Sequence, residues 1–185
     1  MTEWNYWYGP HVFGELGTRY FLKDALGIAR GLHEYFRHSD IVYMANYAQT
    51  VNVIGCIKAS KTHAAMAATG QVLKLYRNNF GQIPVETTGE FDQLDVSAAL
   101  SSDRRKLTVA IVNPTYQEYE VSLNIEPARP FSCRSSWQIT APEEGSFNEP
   151  GKPDVVKIEQ KKADVDMRKI QISALSVYLF ELNLQ

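Results

Sequence analysis

A carboxylate set among aromatic rings lies near the start of the chain. Glu3 is followed by Trp4, Tyr6, Trp7 and Tyr8, with Phe13 further on, so five of the first 13 residues are aromatic against 11% for the whole chain. Flat aromatic faces with polar edges suit a sugar site, because the C–H face of a sugar ring stacks on them while carboxylates and amides bind its hydroxyls. A carboxylate in that setting has the chemistry of a glycosidase nucleophile. The competing reading is an aromatic-rich core strand with an incidental acidic residue.

The other groups that could do chemistry point elsewhere less clearly. Cys56 and Cys133 are far apart and differ in local context, which supports neither a disulfide framework nor a paired-ligand metal site and predicts two buried free thiols. His11, His33, His38 and His63 show no metal-ligand spacing and no carboxylate at motif distance, so they read as surface or capping residues. There is no Gly-rich phosphate loop and no Gly-x-Ser-x-Gly elbow. Neither a metal nor a cofactor is expected.

Elements that would position Glu3 follow from periodicity. Phe21, Ala25, Ile28, Leu32 and Tyr35 recur at spacings of three and four and predict one face of a helix. Arg30, Arg37 and His38 fall towards its C-terminal end, where cations complement the helix dipole. A second helix is predicted over Thr62 to Asn79, with Met66, Leu73, Tyr76 and Phe80 on its apolar side, Gly81 as C-cap and Pro84 preventing continuation. Between them runs Ile41 to Ile57, 17 uncharged residues rich in Val, Ile and Tyr, too short and too polar at Asn46, Gln49, Thr50 and Asn52 to cross a membrane. That run predicts a buried parallel strand.

From residue 85 the period changes to two. Leu94 to Leu100, the LTVAIVN segment, Tyr119 to Ile125, Ser136 to Thr140, Val155 to Ile158, Lys169 to Ser173 and Ser176 to Leu182 predict about seven short strands separated by turn-rich stretches, an antiparallel sandwich. KIEQKKADVDMRK mixes signs and reads as a solvated turn. The chain thus divides near Pro84 into a helical, α/β-type portion (1–84) and an all-β portion (85–185). The first portion is too short for a closed (β/α)₈ barrel, which takes about 250 residues.

Bulk composition excludes several classes. With 19 basic and 21 acidic residues, a formal charge of −2 and no Lys/Arg cluster, the chain lacks a footprint for nucleic acid or anionic membrane. No basic region followed by an apolar run marks a signal peptide, so a cytoplasmic location is the expectation.

TEWNYWY resembles the nucleophile motif of the α-L-arabinofuranosidases of glycoside hydrolase family fifty-one, Glu-Trp-Asn followed by a variable residue and Trp-Tyr. KDALGIARGLHEYFRHSDIVYMANYAQTVNVIGCI is similar to the family's next helix and last barrel strand, and ALSVYLFEL to the strand that closes its C-terminal sandwich. VNPTYQEYEVSLNI and WQITAPEEGSFNEPGKPDVV resemble the sandwich interior less tightly. The resemblance implies a partial (β/α)₈ barrel, its last strands and helices (1–84), followed by an antiparallel β-sandwich (85–185). It implies a retaining hydrolase of terminal α-L-arabinofuranosyl groups acting on an arabinose-containing glycan. Glu3 falls at the nucleophile position, Trp7 at an aromatic position on the leaving-group side, and Gln49 at a glutamine on the last strand that contacts the sugar; Asn46 lies near the same rim.

The family's acid/base carboxylate, on barrel strand four, has no counterpart here. Glu15 and Glu34 match no motif and read as solvated. The chain is therefore expected to be inactive alone, to need a segment carrying strands one to six or a second copy as partner, and to expose apolar surface. The alternatives are half of a split enzyme, and a carbohydrate-binding or interaction module based on the sandwich.

Overall fold

The computed structural model describes residues 1–7, 14–128, 130–161 and 165–185. Tyr8, His11 and Phe13 fall outside the described residues.

Helix α1 (Leu22–Arg37) forms where the first periodicity predicts it, with Ala25 and Ile28 buried as expected and Leu22, Leu26, Ala29 and His33 buried beside them. Its free N-terminal donors are satisfied from two sides. The Asp24 carboxylate accepts the Phe21 N–H at 2.7 Å, and the Leu22 and Lys23 N–H groups donate to the carbonyls of Ser146 and Glu144. Helix α2 (Ala68–Asn79) begins six residues later than predicted. Ala64–Met66 is drawn out as strand β2, which pairs antiparallel with β1 (Ile57–Ala59). Its buried face is Ala68, Val72, Leu75 and Tyr76. Phe80, not Gly81, is its C-cap. Gly81 serves instead at a close crossing, where a Cβ would stand 2.6 Å from the Ala99 carbonyl oxygen of the sheet.

The all-β portion is close to its pattern. β3 (Ile83–Val85) precedes seven strands: β4 (Asp95–Leu100), β5 (Lys106–Asn113), β6 (Tyr119–Val121), β7 (Phe131–Thr140), β8 (Lys157–Lys161), β9 (Ile170–Ile172) and β10 (Ser176–Leu184). Six form one antiparallel sheet in the order β3-β4-β5-β10-β7-β8, while β6 and β9 make a separate antiparallel ribbon. Part of the predicted solvated turn, Lys157 to Lys161, is the edge strand β8, mostly exposed as charged edge strands are.

Side-chain alternation along β5 and β10 builds two cores. Ala110, Val112, Val177 and Leu179 face α1 and α2, together with Ala99 and Ile139. Leu107, Val109, Ile111, Tyr178, Phe180 and Leu182 face the other way, towards Met167 and the ribbon residues Ile170 and Ile172. The small side chains of Ala99 and Ala110 let the helices settle closely on the sheet. Both helices are thus covered by the sheet, contrary to the expectation that their apolar faces would stand open.

The Ile41–Ile57 run is a second correction. Ile41 is 78% exposed, Tyr43 fully exposed, and Met44, Val51 and Val53 also lie at the surface, while Ala48 is buried. Among the described residues two isolated parallel bridges, Tyr47 to Trp4 and Val51 to Ile57 within the run itself, stand where the strand is predicted. A buried parallel strand needs neighbours on both edges and cover on both faces, and here one edge is paired. No helix among the described residues is long and apolar enough to cross a membrane.

Candidate active site

The site is built on the bridge between Trp4 and Tyr47. The Trp4 N–H donates to the Asn46 carbonyl at 3.1 Å and the Ala48 N–H to the Trp4 carbonyl at 3.1 Å, so residues 3–5 and 46–48 run side by side with α1 between them in the chain. The Trp4 ring packs edge-on against Tyr35 (5.0 Å) and Tyr47 (5.6 Å). Gly31 makes room for it: a Cβ there would stand 3.2 Å from the Trp4 ring. One turn earlier, the Tyr6 hydroxyl occupies the place a Cβ of Gly27 would take. Trp4 and Tyr6 therefore face α1, and alternation puts Glu3, Asn5 and Trp7 on the opposite face.

Each predicted residue can now be placed. Glu3 is exposed, and the parallel register sets it beside Asn46. Trp7, 68% exposed, is two positions beyond Asn5 on the same strand face. Gln49 is exposed and immediately follows Ala48, beyond the C-terminal end of the paired residues. Asn46 turns its amide to the Thr2 carbonyl at 3.4 Å. Sequence segments more than forty residues apart are thus brought side by side.

The carboxylates that matched no motif lie away from Glu3 in the sequence and are both exposed. Glu15 is exposed in the 3₁₀ turn Gly14–Leu16. Glu34, 59% exposed on α1, pairs with Arg37 at 2.8 Å.

What the motif did not reveal is how the rim is held. The Asn5 amide nitrogen lies 2.8 Å from the Ala48 carbonyl, 2.5 Å from that of Ile54 and 2.7 Å from the Tyr20 hydroxyl. The Tyr20 hydroxyl also donates to the Tyr6 carbonyl at 2.8 Å. Burial pushes Tyr20 up to about 12, so it stays a donor at any ordinary pH. Below it Lys58, 4% exposed, donates to the Val53 carbonyl at 3.2 Å and stands 5.1 Å from the Tyr20 ring. Burial lowers its ammonium to about 8. The signal that could have found Asn5 was its place in the motif, two residues from Glu3.

Two further corrections concern residues read as bland. His33 is fully buried, its Nδ1 2.8 Å from Asp95 and its Nε2 2.6 Å from the Tyr76 hydroxyl. The carboxylate fixes the ring proton on Nδ1, leaving Nε2 to accept from Tyr76. Arg37 also binds Asp95, at 2.9 Å. Burial would raise the Asp95 carboxyl, but His33 and Arg37 hold it well below the usual range. Exclusion from solvent makes His33 a link between α1, α2 and β4 rather than a reacting group. Cys56 and Cys133 are free but only half-buried. Among the described residues no cluster of His, Cys, Asp and Glu could hold a metal.

Residues 2–176 match the family model described as the alpha-L-arabinofuranosidase C-terminal domain. A probable alpha-L-arabinofuranosidase C of Aspergillus clavatus is 33% identical over 133 residues, covering 61% of this chain and 26% of that protein. An intracellular exo-alpha-L-arabinofuranosidase of Bacteroides ovatus is 24% identical over 98% of this chain and 39% of its own length. Among solved structures, the Thermotoga maritima alpha-L-arabinofuranosidase in its arabinose complex superposes with a TM-score of 0.89 at 25% identity, over 99% of this chain and 42% of that one. The chain therefore spans well under half the length of the relatives it matches.

Proposed function

The chain belongs to the α-L-arabinofuranosidase C-terminal domain family, and from that premise we propose that it forms part of a retaining glycoside hydrolase that releases terminal α-L-arabinofuranosyl groups, with Glu3 as nucleophile. The observation that supports this reading is the parallel pairing of Trp4 with Tyr47, which sets the segment bearing Glu3 and Trp7 beside the segment that leads into Gln49. Barrel enzymes place their reacting groups at the C-terminal ends of adjacent parallel strands. The strand, α1 and the second strand supply one such unit, which supports reading residues 1–84 as the closing part of a barrel and 85–185 as the sandwich against it.

In a retaining mechanism two carboxyl groups stand about 5–5.5 Å apart: one attacks the anomeric carbon while the other protonates the departing oxygen and later deprotonates water. Glu3 is the attacking carboxylate. Trp7 shapes the leaving-group side and keeps water from it, and Gln49 both donates to and accepts from sugar hydroxyls. The acid/base carboxylate is assigned to a partner segment carrying the preceding barrel strands. A cytoplasmic location is part of the same proposal.

The test is hydrolysis of 4-nitrophenyl α-L-arabinofuranoside by the purified chain, alone and mixed with a separately produced segment of barrel strands one to six taken from a relative. Activity only in the mixture, abolished by Glu3→Ala, is the expected result. Activity of the chain alone would overturn the assignment of the acid/base to another segment. Activity that survives Glu3→Ala would overturn Glu3 as nucleophile, and silence throughout would favour a binding module.

A further inference from the structure

The loop that carries Gln49 is held in an unfavourable conformation. Asn52 and Val53 both have positive φ, 53° and 47°. For a β-branched residue such as Val53 that region is a clear outlier, and such strain persists only where surrounding contacts over-determine it. The contacts are specific. The Val53 carbonyl takes hydrogen bonds from the Thr18 N–H (2.6 Å) and Lys58 Nζ (3.2 Å). The Asn52 side chain exchanges two with Ala59, at 2.7 and 3.0 Å. Gly17 packs against the Val53 backbone where any Cβ would collide.

Asn5 closes this arrangement onto the strand of Glu3. Its amide nitrogen reaches the carbonyls of Ala48 and Ile54, the two ends of the segment that contains Gln49 and the strained pair, while its oxygen accepts the Tyr6 N–H at 2.7 Å. The two amide hydrogens meet three acceptors, these carbonyls and the Tyr20 hydroxyl oxygen at 2.7 Å, and the Tyr20 hydroxyl in turn donates to the Tyr6 carbonyl, so every donor is used. Asn5 shares a strand face with Glu3, two positions away. One side chain thus sets the distance between the proposed nucleophile strand and the proposed sugar-binding amide.

We infer that Asn5 is a positioning residue, which clamps the 48–54 loop to the strand of Glu3 so that Gln49 is held in place to meet the sugar. This rests on the function proposed above and adds the device that aligns its two halves. Asn5 touches no substrate in this account; it acts through Gln49.

A double-mutant cycle in the complemented enzyme tests it, with hydrogen exchange on the chain itself as a second readout. Misplacement of a binding group by about 1 Å costs on the order of 100-fold. Asn5→Ala and Gln49→Ala are each expected to lower kcat/KM by roughly 10- to 100-fold, and the double variant to be no worse than the poorer single one. Losses that multiply would overturn the inference, because independent sites add in free energy. In hydrogen exchange, Asn5→Ala should speed the amides of Asn52, Gly55 and Thr18 at least about tenfold while those of β5 and β10 keep their protection. Unchanged loop amides would overturn the clamp, whereas a general loss of protection would show Asn5 to be structural only. If Glu3→Ala left the mixture active while loop exchange rose as expected, the proposed function would fail and the clamp would stand.

Discussion

Gly17 shows how much a single position can carry without any side chain. Its φ of +75° lies in the left-handed region, and a Cβ would collide with the Val53 backbone. Gly17→Ala faces both a conformational penalty and a steric one, with rigid backbone on the far side. A loss of at least about 2 kcal/mol is expected, readable as a lower midpoint in urea. A cost within about 0.5 kcal/mol, ordinary for a surface substitution, would show that the 50–55 turn yields easily. The same turn bears Asn52 and Val53, so the glycine belongs to the support of the Gln49 loop. Glu3, Trp7 and Gln49 differ from it in kind: they are exposed, and their substitution should change binding and chemistry with little effect on folding.

Between elements, the firmest polar link is His33. It joins α1 to β4 through Asp95 and to α2 through Tyr76, with no solvent access. Removing it leaves a buried hydroxyl and a partly buried carboxylate short of a partner, as well as a void. His33→Ala should cost about 2–4 kcal/mol at pH 7. Burial lowers the proton affinity of His33 below its ordinary value near 6.5. The unfolded chain therefore binds more protons than the folded one as pH drops through 6.5, and this contribution to stability is present above 6.5 and lost on acidification. The gap between wild type and His33→Ala should narrow from pH 7 to pH 5, measured by denaturant unfolding at both. A gap that widens on acidification would mean that His33 is charged in the fold.

Seen as one molecule, the chain concentrates its exposed apolar side chains. Of the ten large apolar side chains exposed among the described residues, Met1, Tyr6, Trp7, Ile41, Tyr43, Met44, Val51 and Val53 lie within the first 53 residues, Tyr116 and Val155 being the other two, whereas the sheet and both helices bury their apolar faces. Such a patch on a soluble protein marks an interaction surface or an aggregation liability. The isolated chain should self-associate with rising concentration in sedimentation velocity, and Ile41→Lys with Tyr43→Ser should reduce that association. A monodisperse monomer across the concentration range would contradict the idea that this face takes a partner segment.

Much of this was legible in the residues themselves. Period-two alternation located seven strands because most of them bury alternate side chains in one of two cores, and period 3.6 located α1 for the same reason. Helix α2 was drawn too long, since pairing between β1 and β2 overrides helix propensity at Ala64–Met66. The Ile41–Ile57 run misled because apolar composition reports what a segment would bury, not whether a neighbour is there to bury it. For the proposed site, residue types pointed to Glu3 among aromatic rings, and the resemblance carried by TEWNYWY and NYAQTVN pointed to Glu3, Trp7 and Gln49, local information that survives without a fold. The nearness of residues 3–5 to 46–48, the Asn5 clamp and the His33 link were decided by tertiary structure alone. Each depends on hydrogen-bond partners about forty to sixty positions away in the chain, and nothing in local periodicity or side-chain type encodes which distant carbonyl or carboxylate will arrive.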